Sequence, residues 1–139
     1  MSAFAPASTA LPPSARQRVT QSWSAIRKNS ERLMMAEIVE ISATYDNRDD
    51  ALGAARLLVD LQLAACVHVE GPITSIYRWE GKIAEEAEWH LTAKTRTDLR
   101  HAAIEHMEKT HPYELPAILS RDIQTSPAFA AWVANETKT

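Results

Sequence analysis

Leu63-Ala64-Ala65-Cys66-Val67, continued by Gly71-Pro72-Ile73-Thr74-Ser75-Ile76-Tyr77-Arg78-Trp79-Glu80-Gly81-Lys82-Ile83, is the stretch that decides the architecture. It carries the chain from the end of a helix into a strand and then into a hairpin. Ala64 to Glu70 reads as a strand stopped by Gly71-Pro72. Ile73 to Glu80 is rich in β-branched and aromatic residues. Gly81-Lys82 supplies a turn. Glu88 to Thr95 returns with Trp89, Leu91 and Ala93 on one side and His90, Thr92 and Lys94 on the other. Each arm between Ile73 and Thr95 can run to about eight residues or more, a length of over about 25 Å. A domain of about 100 residues has a radius of gyration of only about 13 Å. The ribbon therefore overhangs its own core. An isolated two-stranded ribbon is marginal in water and its edges invite pairing. Copies of the chain that cover one another's ribbons in a closed ring leave no free edge. A ribbon bent back over its own sheet is the alternative. Tyr77, Trp79 and Trp89 are the aromatic anchors such an interface would use.

Upstream, Val39, Ile41 and Ala43 alternate with Glu40 and Ser42, which predicts a strand with one buried face from about Ala36. Asp46 or Asn47 can cap the helix that follows, with Asp49 and Asp50 in its first turn. Ala51, Leu52, Ala55, Leu58, Val59 and Leu61 then recur at helical spacing. Gly53 costs that helix about 1 kcal/mol against Ala unless close packing needs it. Downstream, Asp98 to His111 predicts a second helix with Thr97 as its cap, ended by Pro112. Leu115 to Ile123 predicts a last strand, and Ala128 to Val133 a short closing turn or helix. The order β-α-β-β-α-β is an α+β, ferredoxin-like sandwich: an antiparallel sheet with two helices on one face.

The chain has 139 residues, 45% apolar and 24% charged, the composition of an ordinary globular domain. No window approaches about 18 consecutive apolar residues, so no membrane partner is expected. A single cysteine, Cys66, excludes an internal disulfide framework and fits a reducing, cytoplasmic setting. Residues 1–35 differ from the rest: five basic residues, one acid, and Pro6, Pro12 and Pro13 among Ala, Ser and Thr. A disordered tail, a cleavable organellar transit peptide and a start at Met34 or Met35 are the three readings of it. The folded domain is expected over 36–139, which carries a balance of −7. Such a surface repels nucleic acid, because phosphate neutralisation supplies most of that affinity. It favours cations.

These residues resemble the CutA family of divalent-cation tolerance proteins. The likeness rests on Leu63-Ala64-Ala65-Cys66, on Ile73 through Ile83, on Lys94-Thr95-Arg96, and on His111-Pro112-Tyr113-Glu114-Leu115-Pro116, in order, across about residues 36–135. The resemblance implies a ferredoxin-like fold and a tight homotrimer joined through the long hairpins, similar in shape to PII signalling proteins. It also implies binding of copper or another divalent metal in metal tolerance, with no catalytic activity and no organic cofactor. Two positions depart from the pattern. Some bacterial members carry a cysteine at the end of the first strand, where this chain has Ala43. Some carry two histidines before the Pro-Tyr, where it has Thr110 and His111.

His111, at a helix end with Glu108, Tyr113 and Glu114 close in sequence, is the leading candidate metal ligand. Imidazole with carboxylate suits copper or zinc. The competing reading is that His111 satisfies the last helical carbonyls. Glu114 and Cys66 complete the candidate ligand set, with further ligands from a neighbouring subunit or water. Cys66 also reads as a packed thiol, and His68 shares its strand face. His101 and His106 lie about 140° apart round a helix and cannot grip one ion. Lys82, Lys94 and Arg96 form a candidate cleft for a small anionic ligand, the basis of a rival PII-like signalling module. Their plainer role is cross-strand pairing with the hairpin's glutamates. An acid–base group of His111, Tyr113 and Glu114 would make an enzyme, but no nucleophile or base–orienter pair accompanies it. A purely structural trimer is the remaining alternative.

Overall fold

The computed structural model describes residues 35–138, so the three readings of the N-terminal segment lie outside the described residues. β1 (Ala36–Tyr45) leads into α1 (Arg48–Asp60), β2 (Cys66–Trp79) and β3 (Lys82–Thr95). A 3-10 turn (Thr97–Leu99), α2 (Arg100–Thr110), β4 (Leu119–Thr125) and α3 (Pro127–Asn135) follow. The four strands form one sheet in the order β2-β3-β1-β4, and all the neighbours are antiparallel. This is the expected α+β, ferredoxin-like arrangement.

The alternation in β1 works as expected. Val39, Ile41, Ala43 and Tyr45 are buried beneath the helices, while Glu40, Ser42 and Thr44 take the other face. Asn47 caps α1, its Oδ1 accepting the Asp50 N–H at 2.8 Å. Ala51, Ala55 and Leu58 of α1 join Ala103 and Met107 of α2 in the core, whereas Val59 and Leu61 of the expected stripe stay exposed. α1 ends with Gln62 at φ 58°. The Leu63 N–H reaches back to the Leu58 carbonyl and the Gln62 N–H to that of Val59, a Schellman closure. It aims Leu63 and Ala64 into the core and starts β2 at Cys66.

Several boundaries differ from expectation for physical reasons. Gly71-Pro72 does not stop β2; it makes a bulge between Glu70 and Ile73, and the strand runs on to Trp79. Gly71 is needed there: a Cβ on it would lie 2.6 Å from the Trp89 ring. The hairpin turn is Glu80-Gly81, both at positive φ, with Lys82 already paired to Trp79. Thr97 opens a 3-10 turn and does not cap α2 with its side chain. The last strand begins at Leu119, because Pro112 to Ile118 wraps the edge of β1 beyond its last β4 pair at Ser42. The closing segment is a full helix, capped by Ser126 with Pro127 at its start. It packs against β1 and β3 as a third helix beside the expected two.

β3 pairs with β1 only from Trp89 to Thr95. From Ile73 and Glu88 outward, β2 and β3 pair only with each other among the described residues, seven residues an arm. At about 3.3 Å per residue that is about 23 Å of free ribbon.

Candidate functional site

Two grooves flank the outer face of the sheet, the face turned away from α1 and α2. The first lies at the root of the ribbon, against the loop from Tyr113 to Ala117. His111, the C-terminal cap of α2, anchors that loop. Its ring stacks on Tyr45, centroids 4.3 Å apart, and is buried. Its Nε2–H donates to the Thr44 carbonyl at 2.8 Å, and its Nδ1 accepts the Tyr113 N–H at 3.0 Å. A carbonyl only accepts and an amide only donates, so the ring is the neutral Nε2–H tautomer. Burial holds its pKa below the ordinary histidine value, against the opposing pull of the Thr44 carbonyl and Glu88.

With its amide fixed, Tyr113 swings its phenol over β3 and donates to Glu88 Oε2 at 2.5 Å. Burial and that hydrogen bond push the phenol far above its usual range. Burial works against the ionised Glu88, but hydrogen bonds from Ser75, Tyr113 and Thr44 prevail and hold its carboxyl below the usual range. Asp46, Glu86, Glu88 and Glu114 all line this groove, and among the described residues no lysine or arginine does. Its charge suits a cation.

The second groove crosses β2, β3, β1 and β4. Glu40 at its centre accepts from Arg121 at 2.6 Å and meets Lys94 at 3.5 Å. Burial opposes its charge, but these two cations win and keep its carboxyl low. His68, Glu70 and His90 line the β2 side.

The candidate residues read from sequence divide between these places. Glu114 lines the acidic groove, and His111 stands behind it. As placed, His111 offers no free ring nitrogen; a metal would have to displace Thr44 or Tyr113. Cys66 pairs with Lys94 on the outer sheet face, six pairing positions along β3 from Glu88, about 20 Å away. It is buried, and desolvation pushes its thiol pKa up, which favours the unreactive form. His111, Glu114 and Cys66 are therefore not gathered within one subunit. Among the described residues no three His, Cys, Asp or Glu side chains are placed to hold a metal ion as they stand.

Lys82, Lys94 and Arg96 are strung along and beyond β3. Lys94 is taken by Glu40, and Arg96 by Asp98 at 2.8 Å. Lys82 and Lys94 stand twelve residues apart on β3, about 40 Å. Tyr77 and Trp79 stand exposed on the ribbon, whereas Trp89 packs on its own core beneath Gly71. The acid–base reading at His111, Tyr113 and Glu114 meets a ring with both nitrogens bonded and a phenol that holds its proton. Sequence inspection missed the Tyr113–Glu88 bond and the Tyr45–His111 stack. The alternation of β1 and β3 marks the faces of Tyr45 and Glu88, but nothing local marks the loop that joins them.

A model of the family described as CutA1 divalent ion tolerance protein matches residues 39–136. The chain belongs to this CutA1 family. A "Protein CutA homolog" from Xenopus laevis is 41% identical over 99 residues, 68% of this chain and 66% of that protein. A "Protein CutA, chloroplastic" from Arabidopsis thaliana is 33% identical over 116 residues, 83% of this chain and 63% of that one. The chain thus spans somewhat less than two thirds of these two relatives. Among solved structures, the CutA1 divalent ion tolerance protein from Ehrlichia chaffeensis superposes with a TM-score of 0.71 at 30% identity, over 77% of this chain and 100% of its own. Membership in the CutA1 family and the ferredoxin-like fold agree with the reading from sequence. No helix among the described residues is long and apolar enough to cross a membrane.

Proposed function

We propose that this CutA1 chain works as a homotrimer that binds divalent cations, copper among them, in cation tolerance. The observation that carries the reading is the acidic groove at the root of the ribbon. Asp46, Glu86, Glu88 and Glu114 face it without a basic neighbour among the described residues, and Glu88 is held ionised. Carboxylates suit hard divalent ions at such a place. Glu114 is the expected ligand that lines the groove; His111 orders the loop behind it by fixing Tyr113. The ribbon beside it supplies the reason for assembly, with Ile76, Tyr77, Trp79 and Ile83 all exposed. Neighbouring ribbons would close the groove and add the ligands one subunit lacks.

Binding, not catalysis, is the activity this arrangement supports. The trimer would act in the cytoplasm, or in an organelle if residues 1–35 are a transit peptide, a reading favoured by the chloroplastic relative. Native mass spectrometry and Cu2+ titration of the full chain test both halves. Three subunits and saturable binding, weakened in Glu114→Gln with Glu86→Gln, are expected. A single subunit, or binding indifferent to both substitutions, overturns the reading.

A purely structural trimer is the second reading. It is favoured by the occupied nitrogens of His111, and it predicts assembly without metal uptake.

A further inference from the structure

We infer a second metal site on the outer face of the sheet, formed by His68 and Glu70 of β2 and His90 of β3, with affinity for a borderline transition ion such as Cu2+ or Zn2+. It rests on the divalent-cation reading and adds to it a site of different chemistry.

The register builds the site. His68 and Glu70 are two residues apart in one strand and therefore share a face, about 6.6 Å apart along it. His90 is the direct cross-strand partner of Glu70, and Thr92 that of His68. His68 and His90 are thus diagonal neighbours, about 7–8 Å apart and within reach of each other's side chains. The three positions form a right angle with the carboxylate at its corner. All three line one groove, floored between the histidines by Thr92 and across β1 by Ser42.

Half of the convergence exists already. Nδ1 of His90 lies 3.5 Å from Glu70 Oε1. The His68 ring must turn to join them, and exposed side chains change rotamer freely. The positive charges nearest the site are neutralised elsewhere: Lys94 and Arg121 both pair with Glu40. Among the described residues, His90 is the only ionisable group paired with Glu70. An exposed His–Glu contact alone contributes little to folding, so stability does not account for the arrangement. Two imidazoles and a carboxylate are the donor set of three-ligand zinc sites, with a fourth position left for water or a neighbour. The same set suits Cu2+ better than the all-carboxylate groove does.

Cu2+ titration of the full-length protein, followed by affinity and by electron paramagnetic resonance, tests the site. Bound Cu2+ is expected to show coupling to two imidazole nitrogens at one equivalent per chain or less. His68→Ala and His90→Ala should each remove one nitrogen and weaken binding by more than about tenfold, with Glu70→Gln weakening it further and the assembly's mass unchanged. Glu114→Gln and Glu86→Gln should leave this signal intact. Nitrogen coupling and affinity that persist in both histidine variants overturn the site while leaving the divalent-cation reading standing. A wild-type protein that binds no Cu2+ at all overturns both.

Discussion

Thr95 carries a buried hydroxyl that finds no hydrogen-bond partner among the described residues, on a side chain with no exposure at all. An unsatisfied polar group in that position costs about 1–3 kcal/mol. Valine has nearly the same shape without the hydroxyl. Thr95→Val is therefore expected to stabilise the fold by about 1 kcal/mol, read as a higher denaturant midpoint at unchanged slope. A lower midpoint would mean that the hydroxyl has a partner after all. His111 presents the opposite case, a polar ring with both nitrogens satisfied. Its folded pKa is depressed, first by burial. Below about pH 6.5 the unfolded chain takes up a proton there that the folded chain refuses. Stability is thus complete above that pH and declines as pH falls from it toward the lower folded value. Glu40 and Glu88, also depressed, add loss in the same direction only below about pH 4.5. Denaturant midpoints measured from pH 7.5 to 5 should fall in the wild type, and His111→Gln should flatten that slope while lowering the midpoint throughout. A wild-type slope that persists in the variant would assign the titration elsewhere.

At the scale of elements, α1 offers the plainest test. Gly53 sits in its interior, and a Cβ there would meet none of the described residues within 4 Å. Close packing does not require the glycine, so Gly53→Ala should stabilise by about 1 kcal/mol. For a domain of this size the melting temperature should rise by about 4–8 °C; a fall would reveal a neighbour in the assembly pressed against that position. Elements with a clear period were legible in the sequence: the alternation of Val39, Ile41 and Ala43, and the Asn47 cap with Ala51, Ala55 and Leu58. Where one residue's chemistry was read alone, context overrode it. Gly71-Pro72 signals a stop, yet the strand continues because β3 runs unbroken opposite and the extra residues fit as a bulge. Leu115 and Pro116 look like strand, yet β1 pairs with β4 no further than Ser42, and the Thr44 carbonyl beyond it is taken by the His111 ring. The acidic groove was illegible for the same reason. It joins Asp46, Glu86, Glu88 and Glu114 from separate segments, and only the loop anchored by His111 brings Glu114 to the others.

For the whole molecule, the ribbon is the feature that a single subunit leaves unresolved. Both of its faces carry apolar side chains. Ile76 and Ile83 are diagonal neighbours on the helix side, 67% and 72% exposed, while Tyr77 and Trp79 stand on the other, with Trp79 54% exposed. A ribbon folded back over its own sheet could hide one face at most. Two faces need two coverings, and the proposed ring of copies would supply both. The substitutions that test this lie outside the subunit's own core. Neither Ile76 nor Ile83 belongs to the core cluster, so Ile76→Asp with Ile83→Asp should leave the far-ultraviolet dichroism of the fold intact. Each buried side chain of this kind is worth about 1.5–3 kcal/mol, so losing two per interface should weaken assembly by more than about a hundredfold. Native mass spectrometry at micromolar protein should then show single subunits in place of three. Three subunits persisting in the double variant would mean that the ribbon's helix-side face is not what joins them.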